Sequence, residues 1–125
     1  MNHITNPHML PKIRSEKLTR AIRGMPCDLM IGTFIGIPCS GVDTVVGAHP
    51  PIFGKGTSTK VTDLSIIAAC ASCHDLLDHE RNQQGRYIRE KYPHGFWEQM
   101  FKAQNATQAR LVGMGIIQVD GADII

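Results

Sequence analysis

Residues 64–78 read Leu64-Ser65-Ile66-Ile67-Ala68-Ala69-Cys70-Ala71-Ser72-Cys73-His74-Asp75-Leu76-Leu77-Asp78, and the fold turns on them. Leu64–Ala69 is a compact apolar run of strand length. It leads directly into Cys70-x-x-Cys73-His74, which reads as a tight turn with a helix following through Asp78 and Glu80 to about Asn82. The C-x-x-C spacing lets two thiolates grip one tetrahedral ion. His74 and Asp78 stand four apart, so on that predicted helix they share one face. An imidazole beside a carboxylate suits a hard, partly hydrated ion such as Mg²⁺ or Mn²⁺. An ordinary surface His–Asp contact is the plain alternative.

Upstream, Asp43–His49 has the β-branched content of a strand and is ended by Pro50-Pro51. A long loop with Gly54, Lys55, Gly56 and Lys60 joins it to the second strand. The order is strand with terminal His49, loop, strand, C-x-x-C-H, helix. Residues 24–64 otherwise read as loops and short strands. Cys27 and Cys39 are too far apart for a knuckle, but a Gly/Pro-rich segment can loop back to complete four ligands with Cys70 and Cys73. Four thiolates close a structural zinc site and leave no open position for catalysis at that metal. Four buried free cysteines are the alternative.

Further out, residues 1–13 read as a flexible arm containing Pro7 and Pro11. Ser15 can cap a helix over Glu16–Arg23, ended by Gly24. Lys12, Arg14, Lys17, Arg20 and Arg23 face a single acid there, Glu16. Helices are expected over Gly85–Tyr92 and from His94 onward, with a break near Asn105 before Gln108–Met114. Phe96, Trp97, Met100 and Phe101 form an apolar stripe suited to core or to a homodimer contact. Residues 115–125 read as a tail. The organisation is thus one domain over 14–114, with a core at 24–82 and a helical extension at 85–114.

Composition bounds the function. The 125 residues carry a formal charge of only +2, which excludes a histone-like polycation but not a local basic face. No apolar run approaches the ~20 residues that span a bilayer. The first residues lack a basic region followed by an apolar stretch, so no secretory signal is expected. Without export, four cysteines point to metal rather than to two disulfides. C-x-x-C-H is also the covalent haem-attachment sequence, a rival reading that leaves Cys27 and Cys39 unexplained.

Ala48-His49, Gly54-Lys55-Gly56-Thr57, Asp63-Leu64 and Cys70–Asp78 together resemble the YbcO-type nuclease family of lambdoid prophages, within the HNH or His-Me finger (ββα-metal) endonucleases. The resemblance covers roughly 17–81, about half the chain. It implies an α+β fold built on a small ββα-metal core with structural zinc, flanked by the basic N-terminal helix and the C-terminal helices. It implies catalytic roles for His49 as general base and His74 as metal ligand, with Asp78 as the second ligand of a catalytic Mg²⁺ or Mn²⁺. Asp63 is the best match to the family's central Asn and would orient His49. The sequence departs from the family at Ala48, where many members carry an acidic or histidine metal ligand.

The function implied is hydrolysis of DNA phosphodiesters in the cytoplasm of a bacterial host, in phage recombination or processing. Recombination proteins are the implied partners and no membrane is involved. Arg20, Arg23, Lys55, Lys60 and Arg81 are the expected DNA contacts, with Arg86, Arg89 and Lys91 adding positive charge. The Ala48 and Asp63 departures keep open a catalytically silent, zinc-stabilised DNA-binding or recruitment module.

Overall fold

The computed structural model describes residues 10–51 and 61–125. The glycine-lysine loop with Lys55 and Lys60, and most of the arm before residue 10, lie outside the described residues.

The chain folds as α+β, with one two-stranded antiparallel sheet surrounded by helices. Helix α1 spans Glu16–Ile22, and the Ser15 hydroxyl caps it by accepting the Leu18 amide. Strand β1 is Val46–Ala48 and β2 is Ile67–Ala69, in the register Val46↔Ala69, Gly47↔Ala68, Ala48↔Ile67. Both strands are shorter than the apolar runs that announce them. Val42–Thr44 and Asp63–Ser65 wind into 3₁₀ turns ahead of them. The Thr62 hydroxyl starts the second turn by accepting the Leu64 amide.

All three residues of β2 are buried, which explains its unbroken apolar sequence. One edge pairs with β1. On the other edge, the Ala68 carbonyl accepts the Asp28 and Leu29 amides, and the Ala68 amide donates to the Thr107 hydroxyl. Gly47 is required where it stands, because a Cβ would run into the Ile66 side chain.

Helix α2 is Ala71–Asp75, α3 is Gln83–Lys91 and α4 is Pro93–Gly113. Three expectations are corrected here. The C-x-x-C-H segment is itself the helix rather than a turn before one, and the helix stops at Asp75 instead of reaching Asn82. Local side-chain bonds end it: Asp78 Oδ1 accepts the Arg81 amide, and Asn82 turns its Oδ1 to the Gly85 amide to start α3. Gly85 lies inside α3, where it lets the helix press on the Leu76 backbone. Asn105 does not break α4, because a lone exposed Asn costs a helix only a few tenths of a kcal/mol.

The core gathers Leu18 and Ile22 of α1, Leu29, Ile31, Ile66, Ile67, Ile88, Phe96 and Leu111. The α4 stripe divides: Phe96 and Met100 are buried, whereas Trp97 and Phe101 are exposed. The C-terminal helices are therefore part of the same core. The arm is also anchored at its end, because the Ile13 carbonyl accepts the Asp63 amide at 3.0 Å.

Candidate functional site

Three separate pieces of chain deliver the cysteines. Cys27 follows α1, Cys39 lies in the loop before β1, and Cys70 and Cys73 come from one turn, as the N-cap of α2 and on its buried side. Their sulfurs all lie within 4.8 Å of one another, and they form the one cluster of three or more metal-ligating side chains among the described residues. A tetrahedral zinc with ~2.3 Å bonds to sulfur needs sulfurs about 3.8 Å apart. The cluster therefore needs only a small contraction around an ion, and it is compatible with structural zinc. Haem attachment would need Cys70 and Cys73 turned toward a porphyrin, but both are fully buried beside the other two thiols.

The backbone is arranged for negative sulfur. Met30 adopts a left-handed φ of 49°, and its amide lies 3.5 Å from Cys27 Sγ. The hydrogen bond from Cys73, helped by the Cys70 and Met30 amides, holds the Cys27 thiol down at about 4 against the raising effect of burial. Cys73 is pushed up, first by sharing that hydrogen bond and then by burial. Burial, with neighbouring Cys27, raises Cys39 to about 11. For Cys70, burial raises the thiol, but the Ser72 hydroxyl and the Cys73 and Ser40 amides outweigh it and set it at about 7. Amides aimed at sulfur are the outer support that metal thiolates use.

A second arrangement sits just past the end of β1. His49 Nε2 lies 3.1 Å from Asp63 Oδ1, with the imidazole about one-third exposed and the carboxylate buried. The other carboxylate oxygen accepts the Ser15 amide at 2.7 Å. An ionised carboxylate only accepts, so this contact places the hydrogen on His49 Nε2, and in the neutral imidazole Nδ1 then keeps its lone pair. Sequence spacing alone aligned Asp63 loosely; the hydrogen bond joins it to His49 directly.

His74 and Asp78 line an open cleft of about 400 Å³ with Asp75, Arg81 and Asn82. Asp78 arrives there from the turn after α2, so the shared-helix-face argument is replaced by a shared cleft. His49 and Asp63 are not among the residues lining it.

The expected cationic residues separate as well. Arg20 pairs with Glu16 at 3.1 Å on the exposed face of α1, and Arg23 is exposed at its end. Arg81 reaches the His74 cleft. Arg86 is used internally, donating to the His79 and Glu80 carbonyls. Arg89 contacts His79 Nδ1 at 2.6 Å and lies over the Phe96 and Trp97 rings.

Sequence reading missed the support behind Cys27. Buried Asp28 accepts the Thr107 hydroxyl at 2.8 Å and Arg110 Nε at 3.2 Å, and the Gln99 amide nitrogen donates to the Asp28 and Leu29 carbonyls. The only sequence signal was an acid immediately after a cysteine.

Among the described residues no helix is long and apolar enough to cross a membrane. Compared with protein-family models, curated proteins and solved structures, the chain matches none.

Proposed function

We propose that this chain is a zinc-stabilised, metal-dependent DNA endonuclease of the His-Me finger type. The observation that carries the reading is the His49–Asp63 hydrogen bond at the end of β1, with the second strand of the hairpin leading into the helix that bears His74. The buried carboxylate fixes the ring and leaves Nδ1 as the proton acceptor, which is what a general base toward water requires. Water attacks the phosphodiester as His49 takes its proton. His74 and Asp78 would hold Mg²⁺ or Mn²⁺, which when bound stabilises charge on the phosphoryl group and the leaving 3′ oxygen. By the family resemblance the products are a 5′ phosphate and a 3′ hydroxyl. Zinc on Cys27, Cys39, Cys70 and Cys73 supplies folding energy to a small core.

One observation favours a second reading, a silent DNA-binding module. Ala48 is buried at the position where many family members place a further metal ligand. Nicking of supercoiled plasmid separates the two. The endonuclease reading expects Mg²⁺- or Mn²⁺-dependent nicking that falls at least ~100-fold in His49→Ala. Retained cleavage in that variant sinks the mechanism, and binding without cleavage under either metal establishes the silent module.

A further inference from the structure

We infer that Lys12 and Arg14, carried on the segment latched to Asp63, bind the phosphates flanking the bond that faces His49. This deepens the nucleic-acid reading above and rests on it.

The Ile13 amide donates to the Thr62 hydroxyl at 3.1 Å, and the Ile13 carbonyl accepts the Asp63 amide at 3.0 Å. The Ser15 amide donates to Asp63 Oδ2 at 2.7 Å, while Asp63 Oδ1 holds His49. One buried carboxylate therefore joins the candidate base to the residue that caps α1. Three hydrogen bonds tie residues 13–15 to this point across 48 to 50 positions of sequence. Such a tether is needless for helix capping, which the Ser15 hydroxyl already performs.

The latch fixes the position of two cations. Lys12 and Arg14 flank Ile13, and both are exposed. Glu16, the one acid between 12 and 23, is engaged by Arg20. Asp63 adds a single negative charge beneath the arm, against the two cations of Lys12 and Arg14. The result is a pair of exposed cations on a segment tied to the carboxylate that holds the candidate base. Its complement is a chain of closely spaced monoanions, and a nucleic-acid backbone presents one charge per ~1.7 Å of duplex axis. Contacts of this kind set register on the backbone rather than reading bases.

The test measures binding of a short labelled DNA duplex by fluorescence anisotropy across a salt series, in zinc-loaded full-length His49→Ala protein. Adding Lys12→Ala with Arg14→Ala should make the log affinity–log salt slope shallower by about 1.8, since each phosphate contact contributes ~0.9. Lys102→Glu on the exposed face of α4 lowers the net charge by the same two units and should leave the slope unchanged. The charge-retaining pair Lys12→Arg with Arg14→Lys should bind like the parent, which separates loss of charge from loss of fold. An unchanged slope in the arm variant, an equal change in the Lys102→Glu control, or no duplex binding by the parent overturns the inference. Plasmid nicking by the unmutated chain is scored separately. A chain that binds through the arm but never cuts upholds this inference and overturns the endonuclease reading.

Discussion

Thr107 belongs to no motif, yet its hydroxyl closes two parts of the fold at once. It accepts the Ala68 amide of β2 at 3.0 Å and donates to Asp28 Oδ2 at 2.8 Å, in a fully buried position. Thr107→Val keeps the shape and removes the oxygen, leaving a buried amide without its acceptor and weakening the support of Asp28. The expected cost is about 2 kcal/mol in a denaturant melt, with Thr107→Ser close to wild type. Asp63 plays the comparable part at the other site, where its two oxygens hold His49 and Ser15. Thr107 was visible in the sequence only as an ordinary polar side chain, whereas Asp63 was expected beside His49 by the family resemblance alone. Their partners lie 14 to 79 positions away, and no local pattern encodes such pairings.

At the scale of elements, Gly85 shows how packing reverses a local rule. Alanine is favoured over glycine by about 1 kcal/mol in a helix interior. In α3 a Cβ at this position would strike the Leu76 carbonyl, which is backbone and cannot rotate away. Gly85→Ala should therefore destabilise the protein by ~1 kcal/mol or more, seen as a lower midpoint in thermal melting. An unchanged or raised midpoint would show that α3 does not lean on the α2 turn in this way. The start of α1 was legible because Ser15 caps it by a short-range bond, whereas Asn82, read as the end of the preceding helix, caps α3 ahead of the expected start at Gly85. The end of α2 was not legible. Its sequence remains compatible with a helix to Asn82, and the chain turns because Asp78 and Asn82 bond locally and Gly85 docks on Leu76. The unbroken α4 has the same origin: tertiary bonds from Gln99, Thr107, Gln108 and Arg110 hold both its halves to the rest of the core.

The whole molecule is joined at the four sulfurs, which connect the segment after α1, the loop before β1 and the start of α2. Zinc uptake should accordingly be coupled to both protonation and stability. At pH 7 Cys27 is already ionised, Cys70 is near its midpoint, and Cys39 and Cys73 hold their protons. A metal that needs four thiolates must displace the remaining protons, so calorimetry in buffers of different ionisation enthalpy should find roughly two to three protons released per zinc. Affinity should fall as pH drops, because more protons must leave, and most steeply below the depressed value of Cys27 at about 4. A strong chelator should lower the melting temperature of the entire chain, α4 included. Melting that is indifferent to chelator would remove zinc from the account of stability.

By itself, the sequence determined the local features of this protein: the capped basic helix, two short apolar strands around a loop, a C-x-x-C pair and an amphipathic C-terminal third. Each rests on contacts between residues a few positions apart, which periodicity and capping chemistry reveal. Only the tertiary structure decided that Cys27 and Cys39 join Cys70 and Cys73, that Asp63 belongs to His49, and that residues 13–15 are tied to that pair. It also decided which cations find partners within the chain. Arg86 donates to two backbone carbonyls and Arg89 meets His79, whereas Lys12 and Arg14 stand exposed on the segment latched to Asp63. Those outcomes depend on which distant groups must share a buried hydrogen bond, a condition set by packing and not by any local run of residues.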